Sequence, residues 1–122
     1  MIKCLVVDNK SMMRKVAKVQ AEILGLKVIE AENGIEALDI CREKKIDIIL
    51  LDWMMPEMDG IEFLDNIQRS ETSGKPYVVM CSAKHSKSDI KTAMDAGADK
   101  YIVKPVTNIN LKQVLQELSF DI

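Results

Sequence analysis

Four polar residues directly follow short apolar runs in this sequence: Asp8, Asp52, Ser82 and Lys104. A site of two carboxylates, a carbonyl and several waters suits Mg²⁺ better than zinc, which prefers His or Cys. An aspartate held beside Mg²⁺ can attack phosphorus and form an acyl phosphate. A lysine ammonium would then neutralise charge on the transferred phosphoryl group, and a serine hydroxyl would donate a hydrogen bond to its oxygens. These residue types indicate phosphoryl chemistry, provided that the fold brings them together.

The hydrophobic pattern predicts a fold that does so. Short β-branched runs alternate with stretches in which apolar residues recur three and four positions apart, as in strands alternating with amphipathic helices. Continuous runs such as IDIILL and YVVM favour central parallel strands covered by helices on both faces. The predicted class is α/β, a five-stranded parallel doubly wound sheet with five helices. Strands are expected over residues 3–7, 27–31, 47–52, 77–81 and 100–103, and helices over 12–24, 35–43, 61–69, 87–96 and 108–118.

The strand ends locate the site within this fold. In open α/β sheets, ligands bind beyond the carboxyl ends of the strands, where the strand order reverses. Asp8, Asp52, Ser82 and Lys104 all follow or close such ends, so we expect them to converge although they are scattered along the chain. Ser11 and Ser86 lie just before helical stretches and are predicted N-caps.

Composition bounds the class of protein. At 122 residues with 48% hydrophobic content, the chain can bury one core without disulfides, and we expect a single domain over residues 1–122. A formal charge of −2 argues against a nucleic-acid binder, which needs a basic surplus. The three cysteines form no CxxC set and cannot all pair within the chain, which favours reduced thiols. Without an apolar run of about 20 residues or a signal-peptide pattern, we expect a cytoplasmic protein with no membrane segment.

Four stretches make the sequence similar to one family: LVVD ending at Asp8, LLDWMMPEMDGIEF around Asp52, CSAK after the fourth strand, and AGADKYIVKP near the end. Together they resemble the receiver domain of bacterial two-component response regulators. The closest kind is the single-domain, CheY-like type without an output domain, and the resemblance extends over residues 1–122. It implies a flavodoxin-like strand order of 2-1-3-4-5 and a role in chemotaxis or phosphorelay signalling.

The resemblance implies roles for the residues at the predicted site. Asp52 would accept a phosphoryl group from a histidine kinase. Mg²⁺, or Mn²⁺ in its place, would be held by Asp8, Asn9, Asp52 and the backbone carbonyl of Met54. Lys104 would contact the phosphoryl group. The protein would be a signalling switch that promotes its own phosphorylation and dephosphorylation, rather than an enzyme acting on other substrates.

A second set of implied roles concerns the response to phosphorylation. Ser82 matches the hydroxyl of the family's switch, and Tyr101 matches the aromatic ring that turns inward when that hydroxyl moves. The Lys104–Pro105 bond matches one that the family usually holds in the cis form, which costs an X-Pro bond only about 0.5 to 1 kcal/mol. The output partner would be a protein that binds a monomer at the face formed by helix 4, strand 5 and helix 5.

Asn9 departs from the family pattern, which usually has two adjacent acids here. Its amide oxygen can still ligate Mg²⁺, but the carboxylates then carry −2, from Asp8 and Asp52, in place of −3. We therefore expect weaker metal binding. The same change relieves repulsion among the carboxylates, which opposes that effect.

Two further departures concern the loss of phosphate. Met54 and Lys84 lie two residues past Asp52 and two past Ser82, at positions that flank the attacking water in this family. Neither side chain is a carboxylate or amide that could accept a hydrogen bond from that water. The sequence therefore predicts slow dephosphorylation.

Other interpretations of the same residues stay open at this stage. Asp8 could cap the first helix, Lys104 before Pro105 could mark an ordinary strand end, and Ser82 could stabilise a turn. At the level of function, Asn9 favours a phosphorylation-independent, receiver-like interaction module with a weakened metal site. An aspartyl-nucleophile phosphatase would need a general acid where Met54 stands, and flavin binding lacks a phosphate loop.

The charge argument for Asn9 is testable. We expect Asn9→Asp to tighten Mg²⁺ binding, because it restores a third carboxylate. One pair of unit charges 4 Å apart is worth roughly 4 kcal/mol at an effective dielectric of 20, and desolvation and ligand exchange oppose the gain. Mg²⁺ titration followed by the fluorescence of Trp53, the neighbour of Asp52, measures the effect. An unchanged midpoint would contradict this account of Asn9.

Overall fold

The computed structural model describes residues 1–70 and 74–122. In these ranges, strands and helices alternate in the predicted order, and each predicted bound lies within one residue of the observed one. No helix there has the length and apolar character needed to cross a membrane. The strands are β1 Lys3–Val7, β2 Lys27–Ala31, β3 Ile48–Asp52, β4 Tyr77–Ser82 and β5 Lys100–Val103; the helices are α1 Ser11–Ile23, α2 Gly34–Glu43, α3 Gly60–Arg69, α4 Lys87–Asp95 and α5 Asn108–Glu117.

The strands form one parallel sheet in the order β2-β1-β3-β4-β5, which confirms the predicted fold class. The chain runs from β1 outward to β2, returns to the other side of β1, and continues through β3 to β5. The order therefore reverses between β1 and β3, whose last paired residues are Val7 and Leu51. Ligand sites of open α/β sheets form at this point, so the acidic ends of β1 and β3 lie where a site is expected.

Side chains that alternate along the strands divide the core into two layers. Leu5 and Val7 face the layer covered by α2, α3 and α4, whereas Cys4 and Val6 face the layer covered by α1 and α5. Burying one Leu, Ile or Phe side chain contributes about 1.5–3 kcal/mol, and β3 is buried along its whole length. The central strands are thus fixed from both faces, which holds their polar ends in place.

Of the two N-cap residues predicted from the sequence, one is observed. Ser86 caps α4, because its hydroxyl accepts a hydrogen bond from the backbone N–H of Asp89 at 3.1 Å. The prediction for Ser11 was wrong: Lys10 is the N-cap residue of α1, and no side chain caps that helix. The preceding turn is stabilised by Asp8 instead, whose Oδ1 accepts from the backbone N–H of Lys10 at 2.9 Å.

Gly60 allows the loop after β3 to fold back on the strand. Its backbone N–H donates to the carbonyl of Trp53 at 2.8 Å. A Cβ at Gly60 would lie 3.0 Å from the carbonyl oxygen of Asp52 and 2.9 Å from the sulfur of the buried Met80. A side chain here would press on the backbone that carries Asp52, so this position requires glycine for its small size.

Candidate functional site

Three of the predicted residues meet at the carboxyl edge of the sheet. The Lys104 ammonium, just past β5, lies 3.0 Å from Oδ2 of Asp8 and 3.0 Å from Oδ1 of Asp52. Both aspartates are 4% exposed. Asp8 follows β1 and Asp52 ends β3, so the parallel register of the sheet brings together residues that are 96 and 52 positions from Lys104.

Two opposing effects set the protonation of Lys104. Burial lowers the pKa of its ammonium, but the hydrogen bonds to Asp52 and Asp8 and the charges of both carboxylates outweigh burial and raise the pKa above its usual value. Lys104 therefore carries a full charge at neutral pH. It can neutralise one negative charge at the rim of the sheet without a metal.

The two carboxylate oxygens of Asp52 differ in their contacts. Oδ2 is buried and accepts no hydrogen bond from the part of the chain that the structure describes. The nearest cation in an ion pair with it is Lys10, whose ammonium lies 3.6 Å away. A buried oxygen without a partner costs about 1–3 kcal/mol. The site thus contains a carboxylate oxygen that a metal, a hydrogen-bond donor or an electrophile would stabilise.

The donor set fits Mg²⁺ only in part. Asp8 and Asp52 offer hard carboxylate oxygens, and the free Oδ2 is suited to a cation. Within residues 1–70 and 74–122, no group of three or more His, Cys, Asp or Glu side chains is placed to hold a metal ion. Two carboxylates would therefore have to be joined by neutral ligands and water. The weaker metal binding expected from Asn9 stays a prediction.

The remaining predicted metal ligands lie on the open side of the rim. Asn9 is exposed next to Asp8, and Met54 is 57% exposed beyond Asp52. For both residues, the metal role stays a prediction. The Lys104–Pro105 peptide bond is cis, as the family pattern implied.

Ser82 and Tyr101 both form hydrogen bonds with the backbone of Lys84. Ser82 is buried at the end of β4, and its hydroxyl accepts from the backbone N–H of Lys84 at 3.1 Å. The Tyr101 hydroxyl donates to the carbonyl of the same Lys84 at 2.7 Å. Burial raises the pKa of Tyr101, and the nearby Ser82 hydroxyl opposes that shift. The turn at Lys84 therefore links the two predicted switch residues.

The Tyr101 ring is half-buried and lies against Trp53. The two rings are perpendicular, with centroids 6.5 Å apart, and the Lys84 ammonium lies 5.1 Å from the centroid of the Trp53 ring. Trp53 is buried and directly follows Asp52. An event at Asp52 is thus one residue away from an indole that contacts both Tyr101 and Lys84.

Sequence reasoning missed Arg14, which holds the backbone of Asp8 in place. Its Nη1 donates to the carbonyl of Asp8 at 2.9 Å, and its Nε donates to Glu30 at 3.2 Å. Burial would raise the pKa of Glu30, but hydrogen bonds from Lys15 and Arg14 hold that pKa below its usual value. Arg14 shares the inward face of α1 with Ala17 and Ala21. An arginine in that apolar pattern was the available signal.

The comparisons with known proteins agree with the fold. The response regulator receiver domain family matches residues 4–116 of the chain. Since this match covers most of the sequence, the chain belongs to the response regulator receiver domain family. Receiver domains are signalling switches rather than classical enzymes and generally bind Mg²⁺ at an acidic pocket, and CheY-like members interact with histidine kinases and output proteins.

Several similar proteins are of the chemotaxis type. The "Chemotaxis protein CheY homolog" of Campylobacter jejuni is 35% identical over 119 residues, covering 96% of this chain and 92% of that protein. The "Chemotaxis protein CheY1" of Helicobacter pylori is 36% identical, with 94% of both chains covered. Among solved structures, CheY4 of Vibrio cholerae superposes with a TM-score of 0.87 at 27% identity, covering 96% of this chain and 98% of the other. The chain is therefore CheY-like in sequence and in fold.

The bridging role of Lys104 predicts a pH-dependent loss of stability. We expect Lys104→Met to lower the free energy of unfolding by about 3–5 kcal/mol at pH 7, because two buried carboxylates lose their partner. The folded pKa of Lys104 is raised above an unfolded value of roughly 10.4. Its contribution is therefore fully present below that pH and is lost as the pH rises through the folded pKa.

Urea unfolding of wild type and Lys104→Met at pH 7, 9 and 11 measures this difference. Lys45→Met is the matched control, because Lys45 is exposed in the connection before β3, at the opposite edge of the sheet. The difference between wild type and Lys104→Met should be equal at pH 7 and 9 and smaller at pH 11. A decline between pH 7 and 9 would show that the buried charge pairs do not behave as described.

Proposed function

We propose that Asp52 accepts a phosphoryl group from a histidine kinase and that the modified protein changes its affinity for a protein partner. The observation that carries the proposal is the placement of Lys104, 3.0 Å from each of two buried carboxylates, while Oδ2 of Asp52 has no hydrogen-bond partner among the described residues. The arrangement supports a nucleophilic oxygen beside a fixed positive charge. This is what phosphoryl transfer requires of a protein.

The transfer step follows from these contacts. Oδ2 of Asp52 attacks the phosphorus atom, and a new O–P bond forms while the N–P bond of phosphohistidine breaks. The electron pair of the broken bond stays on the imidazole nitrogen, and the ring, which carries a proton on its other nitrogen, leaves as neutral imidazole. Lys104 balances charge on the transferred oxygens, and Asp8 holds Lys104 in place. Bound Mg²⁺, with Asp8 and Asp52 as ligands, would supply further positive charge at the same oxygens.

The response to phosphorylation is carried by Ser82 and Tyr101. A phosphoryl group adds about −1.5 to −2 charges and three acceptor oxygens, to which the Ser82 hydroxyl can donate. Any shift of Ser82 moves the Lys84 turn, because that hydroxyl accepts from the Lys84 N–H. Tyr101 donates to the other side of the same turn. The partner surface is the face of α4, β5 and α5, where Met94, Val103 and Ile109 are exposed apolar residues.

The similar chemotaxis proteins favour a partner in chemotaxis over one in another phosphorelay. The competing function is a receiver-like interaction module that binds its partner without phosphorylation. Asn9 and the two-carboxylate site favour that alternative. The buried contacts of Lys104 with Asp8 and Asp52 favour phosphorylation, since burying three charges is costly and the alternative gives Asp52 no chemical role.

The fluorescence of Trp53 distinguishes the two functions. We expect Mg²⁺ to change the fluorescence of wild type, and beryllofluoride or acetyl phosphate to change it further, because Trp53 is buried beside Asp52. Mass spectrometry should show one added phosphoryl group after acetyl phosphate treatment. Asp52→Asn should bind no phosphoryl group, while Asp65→Asn, at an exposed aspartate of α3, should behave as wild type. If folded wild type responds neither to Mg²⁺ nor to the phosphoryl reagents, the result would support the interaction module.

The lifetime of the phosphorylated protein is a second test. Met54 and Lys84 offer no acceptor to an attacking water, so we expect Met54→Asn and Lys84→Glu each to accelerate phosphate loss by about tenfold. That factor corresponds to one hydrogen bond to the water of roughly 1.5 kcal/mol. Decay of the phosphorylated form after removal of the donor is the measurement. Met94→Asn, which changes an exposed methionine of α4, is the control. Equal decay in all four proteins would rule out this role.

A further inference from the structure

A second cation lies at the site and has no assigned role. Lys10 precedes α1, and its ammonium lies 3.6 Å from Oδ2 of Asp52, the buried oxygen without a hydrogen-bond partner in the described chain. The Lys10 side chain is 55% exposed, whereas that of Asp52 is 5% exposed. Lys10 therefore covers the acceptor oxygen from the solvent side, while Lys104 holds the other oxygen from within.

The backbone of Lys10 is fixed on both sides. Its N–H donates to Oδ1 of Asp8 at 2.9 Å, and its carbonyl accepts from the N–H of Arg14 in the first turn of α1 at 3.0 Å. The side chain of Arg14 also holds the carbonyl of Asp8. The lysine therefore starts from a rigid point next to the site and reaches the rim with a flexible stem. A lysine ammonium is a compact charge that can follow a moving anion.

The charges at the rim sum to zero when Lys10 is counted. Asp8 and Asp52 contribute two negative charges, Lys104 and Lys10 contribute two positive ones, and Asn9 contributes none. A neutral rim attracts a divalent cation weakly. The same rim is better prepared for an anion, because a cation already faces the oxygen that would receive it.

We propose that Lys10 binds the transferred phosphoryl group and weakens the binding of Mg²⁺ at this site. Phosphorylation then depends less on Mg²⁺ than it would if a third carboxylate stood at the site. The inference rests on the proposed function. As the O–P bond to Oδ2 forms and the bond to the leaving group breaks, negative charge stays on the phosphoryl oxygens, and the Lys10 ammonium moves from Oδ2 to them. The leaving group departs with its electron pair.

Lys10→Gln separates the two effects. It should tighten Mg²⁺ binding by about tenfold at low ionic strength, the effect of one unit charge on a divalent ion several ångströms away in a solvent-like dielectric. Trp53 fluorescence gives the Mg²⁺ midpoint without any phosphoryl donor. At saturating Mg²⁺, the rate of phosphorylation by acetyl phosphate should fall by about tenfold, the worth of one charge-assisted contact in the transition state. Both effects should shrink as salt screens the charge.

Two further variants complete the test. Lys10→Arg keeps the charge and should retain the wild-type Mg²⁺ midpoint and most of the rate. Lys45→Gln removes the same charge at the opposite edge of the sheet and should change neither. An unchanged urea midpoint for Lys10→Gln, at its exposed position, would confirm that stability is not the cause.

The possible outcomes distinguish failure of the inference about Lys10 from failure of the proposed function. If Lys10→Gln leaves the Mg²⁺ midpoint and the rate unchanged, Lys10 is a solvated surface charge and the inference is wrong. If the rate falls while Mg²⁺ binding weakens, Lys10 acts by positioning the Asp8 turn, which also overturns the inference. If wild type binds Mg²⁺ but accepts no phosphoryl group, the proposed function fails and the phosphoryl role of Lys10 fails with it. The Mg²⁺ midpoints would still decide whether Lys10 opposes the metal.

Discussion

The structure depends on one ammonium group held between two buried carboxylates. Removing Asp8 and Asp52 from water costs several kcal/mol for each ion, and an attraction in the interior offsets that cost only when the geometry is good. Lys104 satisfies this condition with two contacts of 3.0 Å. Since the three residues belong to the ends of β1, β3 and β5, the pairing is possible only when all three strands are in register. The charge cluster therefore requires the folded sheet.

The rest of the fold supplies that register. Apolar side chains on both faces of β1 and β3 fix the strands between two helical layers. The reversal of strand order leaves a gap above β1 and β3, where the loops separate and the carboxylates meet. Gly60 lets the β3 loop pass close to the Asp52 backbone, and Arg14 holds the Asp8 carbonyl. The polar ends of the strands are thus held by packing and by hydrogen bonds that take no part in the chemistry.

The strands, helices and sheet class could be predicted because the spacing of apolar residues is regular over long stretches. Asp8, Asp52 and Lys104 could be placed at strand ends because each follows or closes an apolar run. The sequence did not predict contacts that depend on side-chain reach. Lys10 and Arg14 are the basic residues among the six positions after Asp8. The apolar spacing of α1 marks Arg14 as buried, but no local pattern names Glu30 as its partner or says that Lys10 extends over Asp52. The cap at Ser11 failed for a related reason, since Asp8 stabilises the turn before α1.

The charge balance of the rim also determines what can act as a signal. With Lys10 and Lys104 facing Asp8 and Asp52, the unmodified site is formally neutral, so its neighbours experience little net field. A phosphoryl group would add about −1.5 to −2 charges at one point, in a setting where the effective dielectric is lower than in water. Ser82, at the end of the neighbouring strand β4, is a neutral donor, and its hydroxyl contacts the Lys84 turn that Tyr101 also contacts. Because the rim is formally neutral beforehand, a phosphoryl group at Asp52 would leave it with a net negative charge, and the contacts of Ser82, Lys84 and Tyr101 lead from the rim to β5.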